Sequence, residues 1–404
     1  MMEMKDVGSQ PTGKSKAGTL LEILAVSTKL GLTSFGGPIA HLGYFHNEYI
    51  RRRKWMDESS YGDLVALCQF LPGPASSQLG MAIGLIRGGM LGGLAAWLGF
   101  TLPSAIALFL FAMLLHGADI GNSGWIHGLK IVAVAVVAQA LVSMGQKLTP
   151  DRTRITIAIA AAAVTLMWQT AFSQILLIVL AGIAGILFYS NQAMAAPTTL
   201  SIPVSRRFGA ICLAAFFGLL VLLPALRQVV TADWLSLFDS FYRSGSLVFG
   251  GGHVVLPLLE REVVPAGWVS KADFLAGYGA AQAVPGPLFT FASYLGGVAD
   301  GWAGAAIATV AIFLPAFLLI VGALPFWNSL RSSAKAQGAL AGTGAAVVGI
   351  LLAALYHPLW TSAILAPADF VLASILFVLL VFWKVQPWIV VLAGAAGGTL
   401  AVFL

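Results

Sequence analysis

The sequence predicts an all-α polytopic integral membrane protein built as two inverted-topology repeats with broken or re-entrant helices. Three observations predict it. Of 404 residues, 59% are hydrophobic and 9% charged, too few polar side chains to cover a soluble fold. Long apolar stretches recur throughout, and about 20 apolar residues make one helical crossing of a hydrocarbon core about 30 Å thick. Residues 24 to 104 return, diverged, at 238 to 316, the mark of an internal duplication.

The elements follow in order. Residues 1 to 18 are polar and basic, without the apolar core of a cleavable signal, and read as a cytoplasmic tail. An N-terminal repeat is expected over 19 to 190, a linker with a connecting helix over 191 to 230, and the inverted C-terminal repeat over 231 to 404. Apolar segments lie near 20–50, 62–86, 89–115, 125–147, 155–169, 172–190, 208–226, 234–259, 272–297, 303–326, 336–356, 360–383 and 386–404. Ile155 to Ser190 as one helix would be about 54 Å long at about 1.5 Å per residue, so a turn is expected near Gln169. The short alternating strands of a β-barrel are absent from the sequence.

Basic residues set the orientation. With the N-terminus inside, Lys14, Arg87, Lys147, Arg206, Lys335 and Lys384 fall on the cytoplasmic side, and the C-terminus ends in the periplasm of a prokaryotic inner membrane. The run Arg51-Arg52-Arg53-Lys54 resists a simple crossing, which would put four positive charges outside. If residues 20 to 50 enter, turn at Phe35-Gly36-Gly37-Pro38 and return, the run stays inside, provided residues 62 to 86 also re-enter. We read both segments as re-entrant, with crossing as the alternative. Non-helical backbone at that depth must be surrounded by protein or by a watery cavity.

The repeat aligns residue by residue. Phe35-Gly36-Gly37 corresponds to Phe249-Gly250-Gly251, Lys29 to Arg243, Glu48 to Glu262 and Trp55 to Trp268. Gln69-Phe70-Leu71-Pro72-Gly73-Pro74 corresponds to Gln282-Ala283-Val284-Pro285-Gly286-Pro287. An odd number of crossings separates the copies whether the broken segments cross or re-enter, so the second is inverted. That is the plan of secondary transporters, in which discontinuous helices meet at a site near the midplane.

Pro-Gly-Pro inside an apolar run removes amide donors and breaks the helix. The helix that restarts offers free N–H groups and the positive end of its dipole to an anion. Ser76 and Ser77 sit at the first restart and Thr290 at the second, adding hydroxyl donors for a tetrahedral oxyanion. Gly36, Gly37, Gly73, Gly250, Gly251 and Gly286 permit close backbone approach or positive φ. Structural breaks of no further use would also place Pro and Gly in membrane helices. Lys29 and Arg243 lie within apolar segments, where a charge costs about 2.5–3.5 kcal/mol. An anionic substrate, the carboxylates Glu48 and Glu262, or snorkelling to the interface would each compensate them. Glu48, Glu262 and His253 are coupling candidates, although His41, His46 and His253 are more readily read as loop or satisfied buried histidines.

Other functions find little footing. Gly8-Ser9-Gln10-Pro11-Thr12-Gly13-Lys14-Ser15 matches the phosphate-loop string, but that motif needs a strand before it and a helix after it inside an α/β domain. No nucleotide is expected. The net charge of +6 sits in short loops where membrane orientation explains it, so no nucleic acid is expected either. Cys68 and Cys212 lie in apolar stretches and predict no disulfide, metal or cofactor. Catalytic residues are not expected, since an enzyme would need clustered carboxylates, histidines or cysteines at one depth. Homodimerisation stays open.

The ordered set Phe35-Gly36-Gly37-Pro38, Trp55, Gln69 to Pro74, Phe249-Gly250-Gly251-Gly252-His253 and Gln282 to Pro287 resembles the chromate ion transporter family. The likeness is densest over 24 to 104 and 238 to 316 and extends across both halves. It implies a long-chain, two-domain member that exports chromate and confers chromate resistance, with sulfate as the near analogue. Uptake of sulfate or another tetrahedral oxyanion with a co-transported ion is the alternative. The second copy departs from the pattern, with Gly252 in place of Pro38 and no Ser-Ser pair after its Pro-Gly-Pro.

Overall fold

A computed structural model describes residues 15–116, 124–168, 171–189, 203–249 and 252–401. The tail through Lys14, with most of the phosphate-loop string, Gln169, the start of the predicted linker and Gly250-Gly251 lie outside the described residues. Regular structure among the described residues is helical throughout.

The first repeat opens with α1 (Lys16–Thr33), which starts inside the predicted tail because Ser15 caps it, accepting from the Gly18 N–H at 3.2 Å. A break at Ser34 to Gly36 leads to α2 (Gly37–Phe45), which runs into a π turn over His46–Arg52. Then α3 (Glu58–Phe70) starts at an Asp57 cap and stops before Pro72. The next helix, α4 (Ala75–His116), bends back at Gly88 and Gly89, where φ is 64° at Gly89. Gly84 and Gly92 meet backbone to backbone across that bend. The first arm, 75–87, is about 20 Å long, too short to cross; the second arm crosses.

Charges show where these arms lead. Glu22, near the start of α1, accepts from Arg53 at 3.0 Å and from Arg87 at 3.4 Å. Arg87 lies 4.4 Å over the Trp55 ring. The ends of the π turn and of the first arm of α4 therefore come back to the end of the bundle where α1 began. Residues 20 to 50 and 62 to 86 each run in and return.

The rest of the repeat is α5 (Gly124–Leu148), α6 (Arg152–Met167) and α7 (Ala171–Tyr189). The helix ends on either side of Gln169 fit a turn there. Asp151 caps α6, and the Tyr189 hydroxyl, with the Arg154 backbone and side chain, holds its carboxyl down to about 2. The connecting helix α8 (Arg206–Val229) precedes the second copy: α9 (Asp233–Ser246), a short turn at Gly252–Val254, α10 (Val255–Val263) and α11 (Lys271–Ala281). Next, α12 (Phe291–Ala323) bends at Asp300 and Gly301, with Gly296 against Gly304. It mirrors α4. The chain closes with α13 (Trp327–Arg331), α14 (Ala334–Ala354), α15 (Thr361–Ala363), α16 (Pro367–Val381) and α17 (Pro387–Ala401).

Among the described residues, five helices are long and apolar enough to cross a membrane: Ala75–Leu115, Gly124–Leu148, Arg206–Val229, Leu288–Phe326 and Ala334–Ala363. The apolar helices Ser173–Tyr189, Pro367–Val381 and Pro387–Leu400 are shorter. Exposed Leu91, Leu187, Val221 and Leu392 face outward, as lipid requires.

The halves are interleaved. Helix α5 packs on α16 and α17 of the other half, and its counterpart α14 packs on α6 and α7. Gly128 meets Gly394 and Gly398 in the first contact, and Gly185 meets Gly338 and Gly342 in the second. Small residues let membrane helices approach closely where lipid supplies no hydrophobic drive. Helices α4 and α12 pack against each other between the halves, and α8 covers α12 from outside.

Candidate substrate site at the paired helix breaks

Four chain breaks converge where α4 meets α12. The Gly73 N–H, in the first Pro-Gly-Pro, donates to Val248 O at 2.7 Å, just past α9. In the second Pro-Gly-Pro, the Gly286 N–H donates to Ser34 O at 2.9 Å, just past α1. Val248 and Ser34 are repeat equivalents, so each break ties to the other half's break by the same bond. Both glycines sit at positive φ, 116° at Gly73 and 102° at Gly286, which disfavours a side chain. Their neighbours are also equivalent: Ala316 of α12 lies beside Gly73, and Ser104 of α4 beside Gly286.

A cavity of about 50 Å³ opens here, lined by Gly36, Gly37, His253, Gln282, Gly286 and Leu288 among others. By the measure in which one water needs about 10–15 Å³, it has room for a few waters or one small anion. Near the first-half breaks, outside this cavity's lining, several polar groups are buried and underused. The hydroxyls of Ser34, Ser77 and Thr101 are at most 2% exposed and have no hydrogen-bond partner. Ser76 Oγ meets His41 Nδ1 at 3.2 Å, and the His41 ring stands edge-on to Phe100. Ser76 and Ser77 occupy the first turn of α4, where backbone N–H groups are unpaired by helix geometry. The second half differs at the matching place. Thr290 donates to Pro287 O at 2.7 Å within a short turn, and bulky Leu288 and Phe289 replace the serines.

The family model described as Chromate transporter matches residues 21–186 and 235–399, one copy on each repeat. The chain belongs to the chromate transporter family. A chromate transport protein of Pseudomonas aeruginosa is 30% identical over 93% of this chain and 90% of its own length. A probable chromate transport protein of Synechococcus elongatus is 27% identical over 94% of this chain and 95% of its own length. Another chromate transport protein, from Cupriavidus metallidurans, is 27% identical over 94% and 92%. No solved structure matches. The resemblance read from the Phe-Gly-Gly and Pro-Gly-Pro motifs is thereby shown, as is an all-α membrane transporter.

Within this chromate transporter family member the expected site residues fall into two groups. Gly36, Gly37, Gly286 and His253 line the central cavity, with Gly73, Ser76, Ser77 and Thr290 at the breaks around it. His253 Nδ1 meets the Tyr278 hydroxyl at 2.7 Å, so it has a buried partner. Gly250 and Gly251 lie outside the described residues. Lys29, Arg243, Glu48 and Glu262 form the second group, away from the cavity lining. Lys29 donates to Glu48 at 2.8 Å, and Arg243 to Glu262 at 2.8 and 2.9 Å. Both cations are paired with carboxylates, Arg243 in a largely buried setting and Lys29 in a half-exposed one.

Several residues at these places were not anticipated. Asp239 holds Arg243 from four residues back, at 3.0 to 3.2 Å; that helical spacing was a readable signal. Ser34 follows Thr33 and Thr101 stands alone in an apolar run, and nothing local distinguishes either from lipid-tolerated serine or threonine.

Proposed function

We propose that this protein carries chromate outward across a prokaryotic plasma membrane, with the N-terminus cytoplasmic and the C-terminus periplasmic, and that the oxyanion binds at the start of α4. The observation that supports the site is the set of buried, unpartnered hydroxyls of Ser34, Ser77 and Thr101 beside a helix N-terminus. Hydroxyl and backbone donors without carboxylates suit an anion with several acceptor oxygens. Two short re-entrant pairs, each tied to the other half, are the parts that would rock in alternating access. The relatives' printed names supply the cargo. Direction follows from charge: an inside-negative potential is worth about 2.3 kcal/mol per charge per 100 mV, so a dianion gains roughly 4.6 kcal/mol on leaving.

Purified protein in liposomes, loaded with chromate under an inside-negative potential, tests this. The expected result is saturable chromate release, slowed by sulfate, together with chromate resistance in a sensitive host. Absence of chromate flux overturns the proposal, and accumulation with heightened sensitivity replaces it with coupled uptake.

A further inference from the structure

Beside the Arg243 pair lies a second, smaller cavity, separate from the central one. Arg243 and Ser244 of α9, Leu247 just past it, Leu258 and Glu262 of α10, and Gln174 of α7 bound it. Its volume is about 10 Å³, which holds about one water and no tetrahedral oxyanion. Gln174 is 0% and Ser244 2% exposed. Neither the oxygen nor the nitrogen of the Gln174 amide, nor the Ser244 hydroxyl, has a hydrogen-bond partner. Buried polar atoms are nearly always paired. A water is held by two to four such partners, and three face this space. A metal cation is disfavoured by the Arg243 guanidinium on the wall.

Glu262 is the carboxylate on that wall among the described residues. Arg243 donates to both Asp239 and Glu262, so with Glu262 neutral the guanidinium still has Asp239. Ser240 donates to Glu262 at 2.8 Å, and Arg227 of α8 reaches Asp239 at 3.4 Å. The other ionisable groups on elements packed against α10 are Asp233 and Tyr242 of α9, His253 before α10, Lys271, Asp273 and Tyr278 of α11, Lys335 at the start of α14 and Tyr189 at the end of α7. Glu260 and Arg261 share its own helix, and Arg261 donates to Thr165 O.

We propose that Gln174 and Ser244 hold one water against Glu262, and that this water relays the proton whose movement is coupled to oxyanion transport. The inference rests on the transport reading above. A proton arrives as hydronium on the bound water and passes to a Glu262 carboxylate oxygen, leaving neutral water and a carboxylic acid. That oxygen gives up its bond from Arg243, which Asp239 continues to hold. The reverse transfer discharges the proton after the repeats rock.

The test uses the full-length protein in liposomes with an entrapped pH dye, comparing wild type, Gln174→Leu and Ser244→Ala. Wild type is expected to move protons with chromate and to respond to an imposed pH gradient. Both variants are expected to lose chromate-dependent proton movement while keeping chromate–chromate exchange, which needs no net proton. If Gln174→Leu shows no exchange because it fails to fold, Ser244→Ala decides. Unchanged proton movement per chromate in an exchange-competent variant overturns the relay. Wild-type chromate flux without proton movement overturns the relay and leaves the transport reading standing. Absence of any wild-type chromate flux overturns both.

Discussion

The Lys29 and Arg243 clusters occupy equivalent places in the two repeats, yet their charges balance differently. In the first, one carboxylate, Glu48, accepts from three cations, Lys29, Arg52 and Arg53. In the second, one cation, Arg243, donates to two carboxylates, Asp239 and Glu262. Duplication has kept a cation on the entering helix and a carboxylate on the returning one. The sharing has diverged: the first cluster gathers its cations on one carboxylate, whereas in the second Arg243 bridges two carboxylates and Arg227 also reaches Asp239. The helix restarts diverge in parallel: free hydroxyls after the first Pro-Gly-Pro, and a self-satisfied threonine among bulky apolar side chains after the second.

The largest effect should come from the feature the halves share. Gly73→Val and Gly286→Val each force a β-branched residue to positive φ. Strain plus overpacking of together about 3 kcal/mol would reduce flux by roughly 100-fold, measured in liposomes with membrane insertion checked separately. Gly286→Val should be the worse, because Ser104 Oγ lies 2.8 Å from where its Cβ would be, against 3.1 Å to Gln78 Nε2 at Gly73. Normal flux in both would make the breaks structural only.

The next comparison separates the charge clusters. Glu48→Gln leaves three cations without their shared acceptor, and breaking such a buried link costs about 3 kcal/mol, reduced where Lys29 and Arg52 reach solvent. Glu262→Gln should cost about 1 kcal/mol, since Asp239 still holds Arg243. Thermal unfolding in detergent should therefore rank Glu48→Gln below Glu262→Gln, and the reverse ranking would break the contrast. At the restarts, Ser77→Ala should raise the KM for chromate by about tenfold, the worth of one hydrogen bond to a charged group. Thr290→Ala should leave KM unchanged. Equal KM effects would place substrate at both halves. Smallest is the aromatic cap: Trp55→Leu removes a ring under Arg87 and Arg53, costing about 0.5–1 kcal/mol. Trp268→Leu, with no cation over its ring among the described residues, should lose none of that increment in the same unfolding assay.

Much of this was legible in sequence because the signals were long or duplicated. Apolar runs placed α5, α6, α7 and α8 within a few residues, and the run Arg51 to Lys54 already argued that the first segment returns. The Lys29–Glu48 and Arg243–Glu262 pairs were one of three compensations the sequence left open, and they could be named because each residue had a repeat equivalent. Gln174 and Thr101 were not foreseen, since each is a lone polar residue whose meaning depends on which helix covers it. The ties from Gly73 to Val248 and from Gly286 to Ser34 span more than 170 and 250 positions and involve backbone atoms alone, so side-chain identity could not reveal them.

The interleaving of α5 with α16 and α17, and of α14 with α6 and α7, carries a consequence for biosynthesis. As the chain leaves the ribosome, α6 and α7 enter the bilayer long before α14 exists to cover them, and α5 waits for the last two helices of all. Gly185 must find Gly338 and Gly342, and Gly128 must find Gly394 and Gly398, each across a long stretch of the polypeptide. Such distant partners make assembly slow and late. A chain cut before Ala334 lacks α14, α16 and α17 and leaves the Gly128 and Gly185 seams uncovered.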